Sequence, residues 1–213
     1  YIAFTHEEQH KAGVSAKQAE PLLTPDLQTI IRHMDVAVGC SVSSIERITL
    51  ARDRALFTVA FKTGARGQDL ANMLGGKVMQ LPGNHGVVLD FIFTKTLRAG
   101  AKHSIHITPD VGTPGVCAVE ALRRYKEAVR SCDWNMSDGY LFSEIKKTGS
   151  VVDAKCTQQL SPQNMRSQLV AYARQAGLET FSRGFTMHSF RVGAAVSMAI
   201  NGKSIAAIMA QVG

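Results

Sequence analysis

Lys77-Val78-Met79-Gln80-Leu81-Pro82-Gly83-Asn84-His85-Gly86-Val87-Val88-Leu89-Asp90-Phe91-Ile92-Phe93 decides the fold class. Lys77 to Leu81 and Val87 to Phe93 are short, β-branched or alternating segments, the signature of strands with one buried face. Pro82-Gly83-Asn84 separates them, because proline fixes its backbone and glycine and asparagine tolerate a tight turn. Ser104 to Ile107 has the same texture and follows a connection at Leu97 to Lys102. The spacing predicts a small three-stranded antiparallel sheet.

Helical patterns flank this sheet on both sides. Upstream, Thr24-Pro25-Asp26 is a helix start, with Thr as N-cap and Pro in the first turn. Leu27, Ile30, Ile31 and Met34 then share one face. A second helix is expected from about Ile48 to Thr63, with an apolar stripe at Leu56, Val59 and Ala60 and Gly64 as its C-terminal cap. A short third helix, about Gly67 to Leu74, stops at Gly75-Gly76. Downstream, Thr113-Pro114 opens a helix carrying Val116, Val119, Leu122 and Val129. Ser161-Pro162 opens another, carrying Met165, Leu169 and Tyr172 and ending near Gly177. A further helix runs from about His188 to Ile200 and closes at Asn201-Gly202. A last one begins near Lys203-Ser204. The order predicts an α+β domain, mostly helical, with one small sheet. Residues 1–20 are polar and mixed, including Glu7-Glu8-Gln9-His10-Lys11, and read as a linker or the stub of a preceding domain. The domain itself is expected to span residues 21–213. The chain starts without Met and breaks off inside an apolar pattern, so a fragment of a longer protein is expected.

Composition narrows the partners. The chain has 213 residues, is 45% apolar and carries a formal charge of +7, with a pI near 9.4. That balance suits a polyanion such as nucleic acid, because Lys and Arg displace condensed counterions from phosphates. An indifferent basic surface has the same composition. Cys40, Cys117, Cys132 and Cys156 contain no Cys-x-x-Cys pair, which argues against a zinc ribbon or a redox pair and for reduced thiols. No apolar run approaches the ~20 residues of a membrane helix, and no signal-peptide pattern opens the chain.

Four places carry charge or chemistry. In Thr63-Gly64-Ala65-Arg66-Gly67-Gln68-Asp69-Leu70, a glycine-broken turn delivers Arg66 at the start of a helix, with Asp69 three residues on. The two can pair on one face, as can many surface Arg–Asp pairs. In Phe93-Thr94-Lys95-Thr96-Leu97, Lys95 sits in a hairpin, where a solvated lysine is the ordinary reading. In Met187-His188-Ser189-Phe190-Arg191-Val192-Gly193-Ala194-Ala195, His188 and Arg191 share a face of a largely apolar helix. A buried arginine needs a partner, and a phosphate is one with matching geometry. Taken alone, His-x-x-Arg is a cheap pattern. Residues 202–213 read as a plain amphipathic helix.

Together and in this order, the four resemble the tyrosine recombinase, or phage integrase, family. Arg66-x-x-Asp69 after Thr63-Gly64 resembles the family's first arginine box. Thr94-Lys95-Thr96 resembles its strand lysine, and His188-Ser189-Phe190-Arg191-Val192-Gly193 its second box. The resemblance covers about Pro21 to Gly213. It implies a catalytic domain in which a tyrosine attacks the scissile phosphate, forms a 3′-phosphotyrosyl link and frees a 5′-hydroxyl, conserving the bond energy for rejoining. It implies that Arg66 and Arg191 neutralise the transition state, that His188 handles a proton or donates a hydrogen bond, and that Lys95 is the general acid for the 5′-oxygen. Asp69, where the family more often has Glu, would orient Arg66. Thr94 and Thr96 would join Arg66, Lys95, His188 and Arg191 against DNA. No metal and no cofactor is implied.

The same resemblance places the nucleophile beyond Gly213. Tyr1, Tyr125, Tyr140 and Tyr172 all precede the second box, and Tyr125 and Tyr172 fit core positions. Residues 1–213 alone are therefore expected not to cleave DNA. Implied partners are duplex DNA and other subunits in a synaptic tetramer of the full-length protein, with no membrane and with the fragment monomeric. The function implied is site-specific recombination or integration, as in a phage or mobile element, transposition included. Localisation would be nuclear in a eukaryote and cytoplasmic in a bacterium. A catalytically dead, domesticated domain that only holds DNA or protein is the alternative, and a topoisomerase-like relative is a third.

Overall fold

The computed structural model describes residues 19–40, 43–91, 103–132, 136–137, 139–148, 151–153, 157–178 and 184–212. The expected architecture is present. Helices α1 (Thr24–Cys40), α2 (Ser44–Thr63) and α3 (Gly67–Ala71) lead into an antiparallel sheet of order β1 (Val78–Gln80), β2 (Val87–Phe91), β3 (His103–Ile107). Helix α4 (Ala118–Arg130) follows, then a hairpin of β4 (Lys146–Thr148) and β5 (Val151–Asp153). Helices α5 (Pro162–Gln175), α6 (Met187–Ile200) and α7 (Ile205–Val212) end the described chain.

Register fixes which face of the sheet is buried. Val78 pairs with Leu89, and Leu89 with Ile105, so these three line the core side. Met79 and Gln80 face solvent on the edge strand. The β4–β5 hairpin was not expected from the sequence: Gly149-Ser150 is a turn-prone pair, but Lys146-Lys147-Thr148 before it lacks the apolar alternation of a half-buried strand.

Helix α2 is the axis of the domain and departs most from its sequence reading. It begins at Ser44 rather than near Ile48, because Ser43 is an N-cap whose side chain accepts from the Glu46 amide at 3.2 Å. A serine oxygen satisfying an orphan first-turn donor extends a helix past its apolar stripe. Nor is α2 buried along a stripe alone: every residue from Arg52 to Phe61 is buried. It packs against α1, α4 and α6 at once, and a helix surrounded in this way must neutralise its own charges.

It does so with two arrangements. Arg52, 2% exposed, donates from Nε to Asp53 Oδ1 at 2.8 Å and from Nη1 to the Ser143 carbonyl at 2.9 Å. Asp53, fully buried, also accepts from the Tyr172 hydroxyl at 3.1 Å. With its amide oriented to satisfy both neighbours, Gln168 donates to Asp53 at 3.1 Å and accepts from Arg52 at 2.8 Å. Two residues after Arg52, Arg54 pairs with Asp35 of α1 and donates to the Gly115 carbonyl at 3.0 Å.

Tyr172 is thus a core residue, as expected. Burial and then the adjacent Asp53 charge hold its phenol well above the ordinary tyrosine range. Tyr172→Phe removes one donor from a buried carboxylate and should cost about 1–2 kcal/mol, read as a lower midpoint in urea with unchanged slope. Tyr125, 1% exposed, is likewise core.

The other helix bounds shift for local reasons. Thr113-Pro114 opens a 3-10 turn (Pro114–Val116), and α4 proper starts at Ala118. Helix α3 stops at Ala71 instead of Leu74, where Leu74 bridges to Tyr140 and the Gly75 amide donates to the Gly139 carbonyl at 2.8 Å. Helix α6 starts at Met187, because Thr186 and Ser189 form a reciprocal capping box. In its first half Met187, Ser189, Phe190, Gly193 and Ala194 are buried, but Ala199 and Ile200 are exposed, so it is less enclosed than its composition suggested.

Candidate anion site at the ends of three helices

The site forms where α2 ends and α3 and α6 begin. Gly64 caps α2 in the left-handed region at φ 61°, and its amide donates to the Ala60 carbonyl at 2.9 Å. The Thr63 hydroxyl accepts from the Ala65 amide at 3.2 Å and holds the turn. The chain thereby reverses and presents Arg66 as N-cap residue of α3.

Asp69 is the third residue of α3, and the Arg66 backbone N–H donates to its carboxylate. That is the acidic half of a capping box, in which an N3 acid reaches back to the N-cap amide. It gives the Arg-x-x-Asp spacing a local structural cause beyond side-chain pairing. Asp69 is only 8% exposed. Burial pushes its carboxyl above the ordinary range, against the opposing pull of Arg66, Arg191 and, more weakly, His103.

Arg191 arrives from a different part of the chain. Phe190 stacks on Phe57 of α2, with centroids 5.5 Å apart and planes at 28°, and this fixes α6 against the end of the axis helix. The next residue, Arg191, then donates from Nη1 to the Gly64 carbonyl at 3.1 Å. It is half-buried instead of buried, the state its apolar helix had suggested. Burial, then the positive charge of Arg66, hold its guanidinium below its ordinary value, and Asp69 offsets this only in part. Two guanidinium groups and one carboxylate thus lie within electrostatic reach of one another around a single glycine turn.

Helix α7 closes over the same turn. Gln211 donates to the Lys62 carbonyl at 2.7 Å, and a Cβ on Gly64 would meet Val212 Cγ1 at 2.5 Å. Gly64→Ala therefore combines a positive φ with a clash against a side chain that can turn away. The expected cost is about 1–3 kcal/mol, read by thermal melting. Lys62 also bridges to Asp110 at 2.5 Å, which ties the exit of β3 to the end of α2. Burial raises the Asp110 carboxyl, but the bonds from Lys62 and Thr113 outweigh it and hold it below 3.8. A carboxyl depressed in the fold contributes stability above its unfolded pKa and loses it as pH falls through the folded value. Asp110→Asn should therefore lower the melting temperature at neutral pH, by an amount that shrinks as pH falls below the ordinary aspartate range.

His188 lies in the first turn of α6 and is exposed, its amide donating to Thr186 Oγ1 at 3.2 Å. Thr94, Lys95 and Thr96 lie outside the described residues. They belong to the connection between β2 and β3, whose last register pair is Phe91 with His103. Sequence reasoning missed His103, which contributes to the field at Asp69 and packs its ring 6.2 Å from Phe91. Its only sequence signal was its place at the start of the strand after Lys95. Among the described residues, no group of three or more His, Cys, Asp or Glu could hold a metal ion, and no helix is long and apolar enough to cross a membrane.

The fold and this helix-end site define the class, and comparison with known proteins defines the family. The phage integrase family model matches residues 16–213, and the chain belongs to that family, the tyrosine recombinases. No curated protein matches the chain. Among solved structures, it is similar to XerH site-specific recombinase bound to difH substrate, at 12% identity and a TM-score of 0.63, covering 92% of this chain and 47% of that one. It is similar to XerA recombinase at 17% identity and a TM-score of 0.60, covering 92% and 55%. A lambda integrase tetramer bound to a Holliday junction gives 18% identity and a TM-score of 0.55, covering 99% and 50%. The chain spans about half the length of these proteins.

Proposed function

We propose that this chain is the anion-binding part of a recombinase that cleaves and rejoins duplex DNA at specific sites through a 3′-phosphotyrosyl intermediate. One observation carries the reading: Arg191 bonds the carbonyl of Gly64, two residues before Arg66, so positions remote in sequence meet at one turn. Two like charges brought together, with a single buried carboxylate, Asp69, beside them, are a preorganised receptor for an anion. A phosphate accepts hydrogen bonds from both guanidinium groups, and its pentavalent transition state carries more charge on those oxygens than the ground state.

In this reading Arg66 and Arg191 bind the non-bridging oxygens. Asp69 holds the Arg66 turn. His188, at the solvent side of α6, donates to the phosphate, and Lys95 delivers the proton to the 5′-oxygen. Thr94 and Thr96 contact the DNA backbone. Residues 1–20 serve as a linker or as the stub of a DNA-clamping domain, and residues 21–213 are the catalytic domain without its nucleophile. Among the described tyrosines, Tyr125 is buried, Tyr172 is engaged with Asp53, and Tyr140 is half-buried at a bridge to Leu74. Partners are duplex DNA and further subunits of the same protein, and residues 1–213 alone are monomeric. The presence of Arg66, Asp69 and Arg191 around one turn supports the reading of an active enzyme over a dead binding domain, which needs no converging like charges.

The test is a suicide DNA substrate, nicked so that cleavage traps a covalent adduct. Residues 1–213 should bind the duplex in a salt-dependent way and form no adduct. The longer polypeptide that includes the segment after Gly213 should form one. An adduct with residues 1–213 would overturn the missing nucleophile, and absence of DNA binding by both would overturn the function.

A further inference from the structure

A pocket of about 490 Å³ opens between α1, α2 and α4, far from the glycine turn. Its volume is in the range of small-molecule sites. Along α2 the lining residues Arg54 and Arg47 stand nine and sixteen positions before Thr63, so at ~1.5 Å per residue the pocket lies about 14 to 24 Å from the site described above. An occupant would leave that site open.

The lining is two-sided in chemistry. Met34, Val38, Leu50 and Ala51 give an apolar wall, while Arg47, Arg54 and Arg124 bring three guanidinium groups against one lining carboxylate, Asp35. Two of the three are committed. Arg54, 7% exposed, spends its terminal nitrogens on Asp35 and the Gly115 carbonyl, and its buried Nε has no hydrogen-bond partner. Arg124 donates from Nε to Glu120 at 2.7 Å. Arg47 is exposed and, among the described residues, makes no ion pair. An apolar wall that reaches solvent at Val38, beside an excess of positive charge, is complementary to an apolar body ending in one negative group.

We propose that this pocket binds a small amphipathic monocarboxylate, its hydrocarbon against Met34, Val38 and Leu50 and its carboxylate on Arg47. Val38 is 39% exposed, so the apolar wall reaches the surface and a chain-like ligand can enter without opening the core. The committed guanidinium groups Arg54 and Arg124 supply background potential, and Arg47 supplies the direct bond. The rim favours an anion over a neutral or cationic head of equal length.

The test titrates the full chain with decanoate and decyltrimethylammonium below their micellar concentrations and decanol below its solubility limit, following the Met34 methyl resonance. Decanoate should saturate as a one-to-one complex, with the other two weaker by about tenfold or more. Arg47→Ala should weaken decanoate by about tenfold and leave decanol unchanged. Val38→Trp, which fills the pocket mouth from an exposed position, should remove decanoate binding while the melting temperature stays near that of the parent. Equal binding of decanol, indifference to either substitution, or no saturable binding of decanoate would each overturn the proposal.

Discussion

Gly193→Ala should yield a protein that fails to fold or melts at least roughly 10 °C lower, the scale of a loss of several kcal/mol in a domain of this size. A Cβ on Gly193 would stand 1.9 Å from the Leu22 carbonyl oxygen and 2.8 Å from its carbon. That neighbour is backbone, so no rotamer change relieves the clash. It is also pinned, because the Leu22 amide donates to the Ser189 carbonyl on α6 at 3.0 Å. Separating the two to admit a methyl breaks this bond and lifts Leu22, fully buried, out of the core. Because α6 carries Arg191, any surviving fold should also lose its anion site. Gly39→Ala is the control: nothing lies within 4 Å of its added Cβ, and an exposed helical glycine replaced by alanine gains up to about 1 kcal/mol. Equal melting temperatures for parent and Gly193→Ala would show that α6 does not pack as described.

The second large effect is chemical. In the longer polypeptide, Arg191→Ala should reduce the rate of adduct formation by about 10²–10³-fold, the usual loss when one preorganised donor to a transition-state oxyanion is removed. Stability should change less than the rate, because Arg191 is half-buried and lies outside the apolar core that holds α6. Arg191→Lys should recover little of the rate, since an ammonium offers neither the planar fork nor the reach to bond the Gly64 carbonyl and a phosphate together. A large fall in melting temperature with an unchanged cleavage rate would assign Arg191 to the scaffold.

Much of this was legible in the sequence because it is local. Strand texture around Pro82-Gly83-Asn84, the Thr24 and Ser161-Pro162 starts and the Gly64 stop each depend on a few adjacent residues. All of them mark boundaries in the fold, although Thr24 is the first residue of α1 and not its cap: the Leu27 amide donates to the Leu23 carbonyl, and Asp26 accepts from the Leu23 amide. The ordered polar positions also identified the family. What escaped the sequence depends on contacts across it. Arg52, Asp53, Gln168 and Tyr172 form one buried network from two helices, and no spacing rule links them. The Asp69 bond to the Arg66 backbone looked like a side-chain ion pair until its position as N3 was known. Ser43 as a cap was hidden because the apolar stripe of α2 begins later than the helix does. Gly193 stood inside a recognisable motif, yet its reason is the carbonyl of Leu22, far away in the chain.

The central claim is that Arg66 and Arg191 act together on one phosphate. A double-mutant cycle of duplex DNA binding by residues 1–213, measured against salt, tests it most directly. Arg66→Ala and Arg191→Ala should each reduce the slope of log K against log salt by about 1 or less. Because the two share a phosphate, the loss in the double variant should fall short of the sum by about 1 kcal/mol or more. Strict additivity, or slopes unchanged by either substitution, would contradict the account.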